Sequence, residues 1–222
     1  AGTQKIPCAV FMHAYPDDLR EPDERLDIGG LFWATRVRLV EMGHTHYNEL
    51  APDGRTLYAA ARSVGQNEDG SVGYAVAAID GPVTSWRFRA LDRTAPFVLI
   101  TSPADRRVAT LPTSPASSGM ELDAEGRITV RALVLSDAPP DYVHCRVDTG
   151  PWLLMERRPD SRCYEAALAW DGAGRSIQVE AVDGRWPGHG PDFVDTDVIE
   201  PVIAASDSVA PPPMPHKPGS DA

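Results

Sequence analysis

Between residues 128 and 182 the chain breaks into five short runs, 128–135, 142–147, 153–156, 164–169 and 176–182. Turn chemistry separates them: Asp137-Ala138-Pro139-Pro140, Thr149-Gly150-Pro151, Arg158-Pro159-Asp160 and Asp171-Gly172-Ala173-Gly174. Proline fixes φ and lacks an N–H, and glycine reaches dihedrals closed to other residues, so a continuous helix across these breaks is excluded. Short runs at this regular spacing predict antiparallel strands stacked as two sheets. Trp152 and Trp170 fall in this stretch, either as core anchors or as an exposed aromatic face.

The first half reads differently. Cys8-Ala9-Val10-Phe11-Met12 and Val37-Arg38-Leu39-Val40 are apolar runs of the kind that form strands buried on both faces. Each leads to histidine: His13 after the first, and His44 and His46 within Met42-Gly43-His44-Thr45-His46-Tyr47 after the second. On a continuing strand His44 and His46 share a face. If the chain turns at Gly43, the rings splay around a small volume instead. Imidazole is a common transition-metal ligand, and open α/β sheets bind ligands beyond the carboxyl ends of their strands. Three histidines at two strand ends therefore predict a joint site, against the plain reading of surface-loop residues. His144, His189 and His216 read as structural or uninvolved.

Between the two runs, Glu21-Pro22-Asp23-Glu24 opens a short helix expected over 25–33, weakened by Gly29 and Gly30. Ala51-Pro52-Asp53-Gly54-Arg55 is a turn, and strands are expected over 56–62, 73–79 and 83–88, the last two joined at Asp80-Gly81. The loop 63–70 is polar, and a further apolar run begins at Pro96. The Pro- and Ser-rich stretch 111–119 marks a boundary. The expected organisation is a first unit over 1–110, a linker over 111–119, an immunoglobulin- or fibronectin III-like sandwich over 120–200, and a tail over 201–222 whose proline content predicts disorder.

A net charge of -11 disfavours a nucleic-acid duplex as partner. No apolar run reaches membrane-spanning length. Cys8, Cys145 and Cys163 are too few for a disulfide framework; the expectation is either one Cys145–Cys163 bridge across neighbouring strands or reduced core thiols, and the reduced state points to the cytoplasm. The chain opens without Met and enters an apolar run almost at once, so it reads as the later part of a longer protein.

Phe11-Met12-His13-Ala14-Tyr15-Pro16 and Gly43-His44-Thr45-His46-Tyr47-Asn48-Glu49-Leu50 resemble the last two metal-binding blocks of calcineurin-like metallophosphoesterases. The stretch from Leu57 to Gln66 and the segment Ser85-Trp86-Arg87-Phe88 resemble that fold's closing strands, so the likeness spans about the first half of the chain. The resemblance implies the C-terminal part of an α/β/β/α sandwich followed by an appended β-sandwich, α+β or mostly β in class. It implies that His13 and His44 bind one metal and His46 another, in a dinuclear Mn, Fe or Zn centre that hydrolyses small phosphate mono- or diesters. The family's earlier blocks, Asp-x-His, Gly-Asp-x-x-Asp and Gly-Asn-His-Asp or Gly-Asn-His-Glu, are not in this sequence. The chain alone is thus expected to hold at most one metal, to carry no catalytic residue and to be inactive without upstream sequence. Two other readings stand beside it. One is a single metal that staples the strand ends. The other is a non-catalytic β-rich binding protein, with incidental histidines and Trp152, Trp170 or Trp186 meeting a glycan or protein.

Overall fold

The computed structural model describes residues 8–16, 27–65, 70–93, 96–108, 118–183 and 193–202. The linker over 111–117, the Gly-Pro loop with Trp186 and His189, and the tail from 203 onward lie outside the described residues.

Four strands form the N-terminal sheet: β1 (Cys8–Phe11), β2 (Val37–Met42), β3 (Glu49–Pro52) and β4 (Leu57–Ala60), in the order β1-β2-β4-β3. The pairs β1·β2 and β2·β4 are parallel, and β3 returns antiparallel to β4. Successive strand residues point to opposite faces. Val40, Met42 and Ala60 accordingly pack with Phe32 on one side, while Leu39, Leu57 and Ala59 pack with Val108 and Trp86 on the other. Burial on both faces explains the unbroken apolar reading of β2.

Phe32 belongs to α1 (Ile28–Thr35), the helix expected over 25–33. The Asp27 side chain caps it by accepting the Gly30 N–H at 2.8 Å. A Cβ at position 30 would fall 2.3 Å from Asp27 Oδ2, so the glycine that weakens the helix also admits its cap.

The C-terminal half is a sandwich of two four-stranded antiparallel sheets. One runs β10-β9-β13-β14, with β9 (Tyr142–Val147), β10 (Leu153–Leu154), β13 (Ile177–Val182) and β14 (Val194–Ile199). The other runs β11-β12-β8-β7, with β7 (Phe97–Ser102), β8 (Arg127–Leu135), β11 (Glu156–Arg157) and β12 (Cys163–Ala169). The core between them alternates with period two along each strand. Ile128, Val130, Ala132 and Val134 from β8 meet Val143 and Cys145 from β9 and Ile177, Val179 and Ala181 from β13. Cys145 and Cys163 are free thiols on opposite sheets, and burial pushes the Cys145 thiol up to about 12.

The hairpin of β5 (Gly73–Asp80) and β6 (Val83–Ala90) joins the two halves. Toward the N-terminal sheet, Arg38 donates to Thr84 Oγ1 at 3.0 Å, and the Trp86 indole N–H to Glu41 Oε2 at 3.0 Å. Toward the sandwich, Arg131 Nε donates to Asp80 Oδ2 at 2.6 Å, and Arg87 grips Asp195 through bonds of 2.7 and 3.0 Å.

Asp195 and Asp197 occupy inward positions of β14, opposite Ala181 and Val179. They accept the backbone N–H groups of Val98 at 2.7 Å and Ile100 at 2.8 Å, so two carboxylates complete the open edge of β7. Burial raises the Asp197 pKa, with the Arg87 guanidinium opposing. The carbonyls of Thr196 and Val198 on β14 are covered by Arg87 at 3.1 Å and Arg107 at 2.5 Å. Side chains thus block a strand edge that would otherwise invite further pairing.

This architecture overturns the α/β/β/α expectation. Among the described residues there is one eight-residue helix, and no helical layers enclose the sheets. The physical reason lies in the sequence pattern: most runs alternate with period two, and the one helical stretch is short and glycine-weakened. What holds is the general β-sandwich character.

Candidate functional site

Parallel pairing of β1 and β2 brings the two histidine-bearing strand ends together. Met12 N–H donates to Glu41 O at 3.0 Å, and Gly43 N–H to His13 O at 3.1 Å, extending the ladder to the loop. A Cβ at Gly43 would stand 3.2 Å from His13 Nδ1, so close approach of the imidazole favours glycine there. His44 and His46 have φ of 80° and 65°, which confirms a turn in place of a continuing strand. His13 Nε2 and His44 Nδ1 lie 3.4 Å apart, with the rings edge to face at 5.3 Å.

His46 does not complete a set. Among the described residues no group of three or more His, Cys, Asp and Glu side chains could hold a metal ion. This overturns the expected metal centre, dinuclear or single, and with it the phosphoester hydrolase. Two imidazoles bring no carboxylate to offset a cation's charge. Left-handed backbone at His44 and His46 breaks the alternation that would have aligned their rings.

Beside this corner Glu49 accepts hydrogen bonds from Tyr15 and, at 2.6 Å, from Thr45 Oγ1. These two donors hold the Glu49 carboxyl below the ordinary range, Thr45 first. A hollow of about 560 Å³ opens next to them, lined by Met42, Leu50, Tyr58 and Tyr15 among others. Tyr15, Thr45 and Glu49 were visible in the sequence only as neighbours of the histidines. Nothing in their spacing signals that they bond one another.

A different surface carries more recognition chemistry. On the sheet containing β9, the outward residues form three rows across strands: Tyr142, Val182 and Val194; His144, Glu180 and Thr196; Arg146, Gln178 and Val198. Trp152, just before β10, folds over this face. Its ring stacks on His144 at 4.0 Å with 15° between planes, and the Arg146 guanidinium lies 4.1 Å from it. Tyr142 continues the ridge, 5.0 Å from His144. Tyr142 and Trp152 remain 42% and 37% exposed. Leu154, opposite His144 in the register, is also exposed.

The polar groups of this face are largely engaged with one another. His144 Nε2 meets Glu180 Oε1 at 2.8 Å, and Arg146 Nε donates to Gln178 Oε1 at 2.8 Å. Thr196 donates to Glu180 Oε2 at 3.3 Å. Trp170, the other tryptophan among the described residues of this half, packs against the core. No helix among the described residues is long and apolar enough to cross a membrane.

Comparison with protein-family models, with curated proteins and with solved structures finds no match to this chain. The likeness to calcineurin-like metallophosphoesterases therefore rests on short motifs alone, and the almost entirely β architecture contradicts it.

Proposed function

We propose that this chain is a non-catalytic binding protein whose sandwich face around Tyr142, His144 and Trp152 takes an extended, proline-rich polypeptide. One observation carries the reading: Trp152 stacks over His144 and meets the Arg146 guanidinium, Tyr142 tilts against the same imidazole, and the Tyr142 and Trp152 rings stay exposed among valines and a leucine. Proline-rich ligands dock on aromatic-lined surfaces because their polyproline II backbone is already ordered. The donor balance agrees. The indole N–H, the Tyr142 hydroxyl and the Arg146 terminal nitrogens are donors, and prolyl segments offer carbonyl acceptors without N–H groups. A glycan demands many fixed polar contacts, whereas Glu180, Gln178 and Thr196 are spent within the face.

The recognition unit in this reading is the sandwich over 120–200, with β7 supplied from the preceding segment. His13, His44 and His46 are incidental to binding. The negative charge argues against nucleic acid, and the free thiols suit a reducing compartment such as the cytoplasm.

The test is titration of a dye-labelled decaproline peptide with the full chain, followed by fluorescence anisotropy. Saturable binding is expected, weakened roughly tenfold or more by Trp152→Ala or Tyr142→Ala and unchanged by His44→Ala. Absence of saturable binding, or binding indifferent to both aromatic substitutions, overturns the reading.

A further inference from the structure

Independently of that binding face, we infer that the open edge of β5 pairs antiparallel with the β5 of a second copy, joining two chains through a continuous β6-β5-β5-β6 sheet. The register of the hairpin fixes which backbone groups stay unused. β5 and β6 pair from Gly73 and Ala90 to Asp80 and Val83, and one step further out Leu91 N–H donates to Val72 O at 3.0 Å. Directly opposed residues in such a ladder alternate between exchanging both bonds and exchanging none. The bonded positions of β5 are therefore Tyr74, Val76, Ala78 and Asp80. Gly73, Ala75, Ala77 and Ile79 turn their N–H and C=O groups away from β6, and no other described strand pairs with β5.

Other edges of the molecule are blunted. β3 contains Glu49 and Pro52, β6 carries Arg87 and Arg89, and Asp195 and Asp197 close β7. β5 has no such device. From Gly73 to Ile79 it holds no charge and no proline, and Tyr74 and Ala77 are exposed. Asp80, at its end, is bound by Arg131 and Thr101. An uncharged open edge of this length is a template for one more strand.

The order of residues points to a second copy as the occupant. Unused groups meet only when odd-numbered positions face odd-numbered ones. With Val76 on the two-fold axis, Gly73 faces Ile79, Tyr74 faces Ala78, Ala75 faces Ala77 and Val76 faces itself. Gly73 to Ile79 then pair throughout, with about eight backbone hydrogen bonds. Each large side chain, Tyr74 or Ile79, meets a small residue, and the axis carries two β-branched neighbours suited to a sheet. One strand pair lies at the weak end of interface sizes, below about 1,200 Å², so association is expected on the order of 10–100 µM. A net charge of -11 on each copy opposes approach, and added salt should strengthen the dimer.

Sedimentation velocity on the full chain, from about 2 to about 200 µM, tests the pairing, with amide hydrogen exchange in parallel. The wild-type chain should pass from monomer to dimer across that range. Ala77→Pro deletes an outward N–H and spares every bond to β6, so association should weaken at least about tenfold at an unchanged melting temperature. In the wild-type chain, exchange at Ala75, Ala77 and Ile79 should slow as concentration rises. Should Ala77→Pro fail to fold, those three amides decide alone. A chain that stays monomeric throughout overturns the inference. Slow exchange at the three amides in the monomer gives the edge to a segment of the same chain and overturns it as well. Association that leaves these amides unprotected, or growth beyond the dimer, places the contact elsewhere and does the same.

Discussion

The two outer faces of the sandwich meet opposite fates. The face built on β7 and β8 is roofed by the β5–β6 hairpin, so Phe97 and Leu99 are buried although they point away from the sandwich core. The guanidiniums of Arg87 and Arg89 lie 5.0 and 5.6 Å from the Phe97 ring, and Arg131 ties the roof down through Asp80. The face built on β9, β13 and β14 has no such roof among the described residues, yet it carries Tyr142, Trp152, Leu154, Val194 and Val198 exposed. An aromatic ridge on a covered face is core. The same chemistry on an open face is available to a partner.

Three substitutions, with Trp152→Ala as the control beside the first, would sharpen this contrast, in falling order of effect. Leu99→Ala, under the roof, should cost about 3 kcal/mol, the range for a buried leucine that leaves a cavity. Urea denaturation of the full chain measures it, and a loss below about 1 kcal/mol would mean the hairpin does not seal that face. Trp152→Ala on the open face belongs in the same experiment and should leave the midpoint nearly unchanged.

Asp195→Ala removes the carboxylate shared by Arg87 and the Val98 N–H. A mostly buried guanidinium left with the Thr196 and Val98 carbonyls and the more distant Asp197 carboxylate, together with an orphaned strand donor, should lower stability by about 2 kcal/mol. Hydrogen exchange should report faster exchange first at Val98, before the β9–β13 ladder. Exchange that stays slow at Val98 would show that the edge closes without its carboxylates.

The smallest effect concerns Glu41, where the roof meets the N-terminal sheet. Burial lifts its pKa from 4.5 to about 6, and the Trp86 indole N–H opposes the shift. A carboxyl raised on folding contributes stability that is complete below its ordinary pKa of 4.5 and is lost as pH rises through about 6. Glu41→Gln keeps an acceptor for Trp86 and should raise stability at pH 7 by about 0.5–1 kcal/mol, discounted for partial exposure. Denaturation at pH 4.5, 6 and 7.5 checks it. A variant no more stable at pH 7 than the parent would place the carboxylate in water after all.

The contrast also marks how far a sequence can be read. Alternation along β8, β9 and β13 is plain in the residues, because a buried face demands an apolar residue at every second position. The same rule misleads at β14. In Val194-Asp195-Thr196-Asp197-Val198, period two turns the aspartates toward solvent, yet they point inward. The open N–H groups of β7, about a hundred residues earlier in the chain, supply what they need, and no local pattern records that. Around the histidines, a motif of a few residues named an entire enzyme scaffold. The helical layers of that scaffold require long amphipathic helices, and among the described residues the one helix, α1, has only eight residues. Tyr142, His144 and Arg146 were legible as one strand face. That Trp152 lies over them was not, because it depends on how the turn at Asp148-Thr149-Gly150-Pro151 returns the chain.

By itself the sequence determined that this protein is built from short, turn-bounded strands, since Pro, Gly and Asp punctuation and two-residue alternation are local properties. Tertiary structure alone decided which faces are covered, which carboxylates replace a missing strand and which rings stack. Those outcomes depend on contacts between residues far apart in the chain, where the energy of a side chain is set by what arrives opposite it.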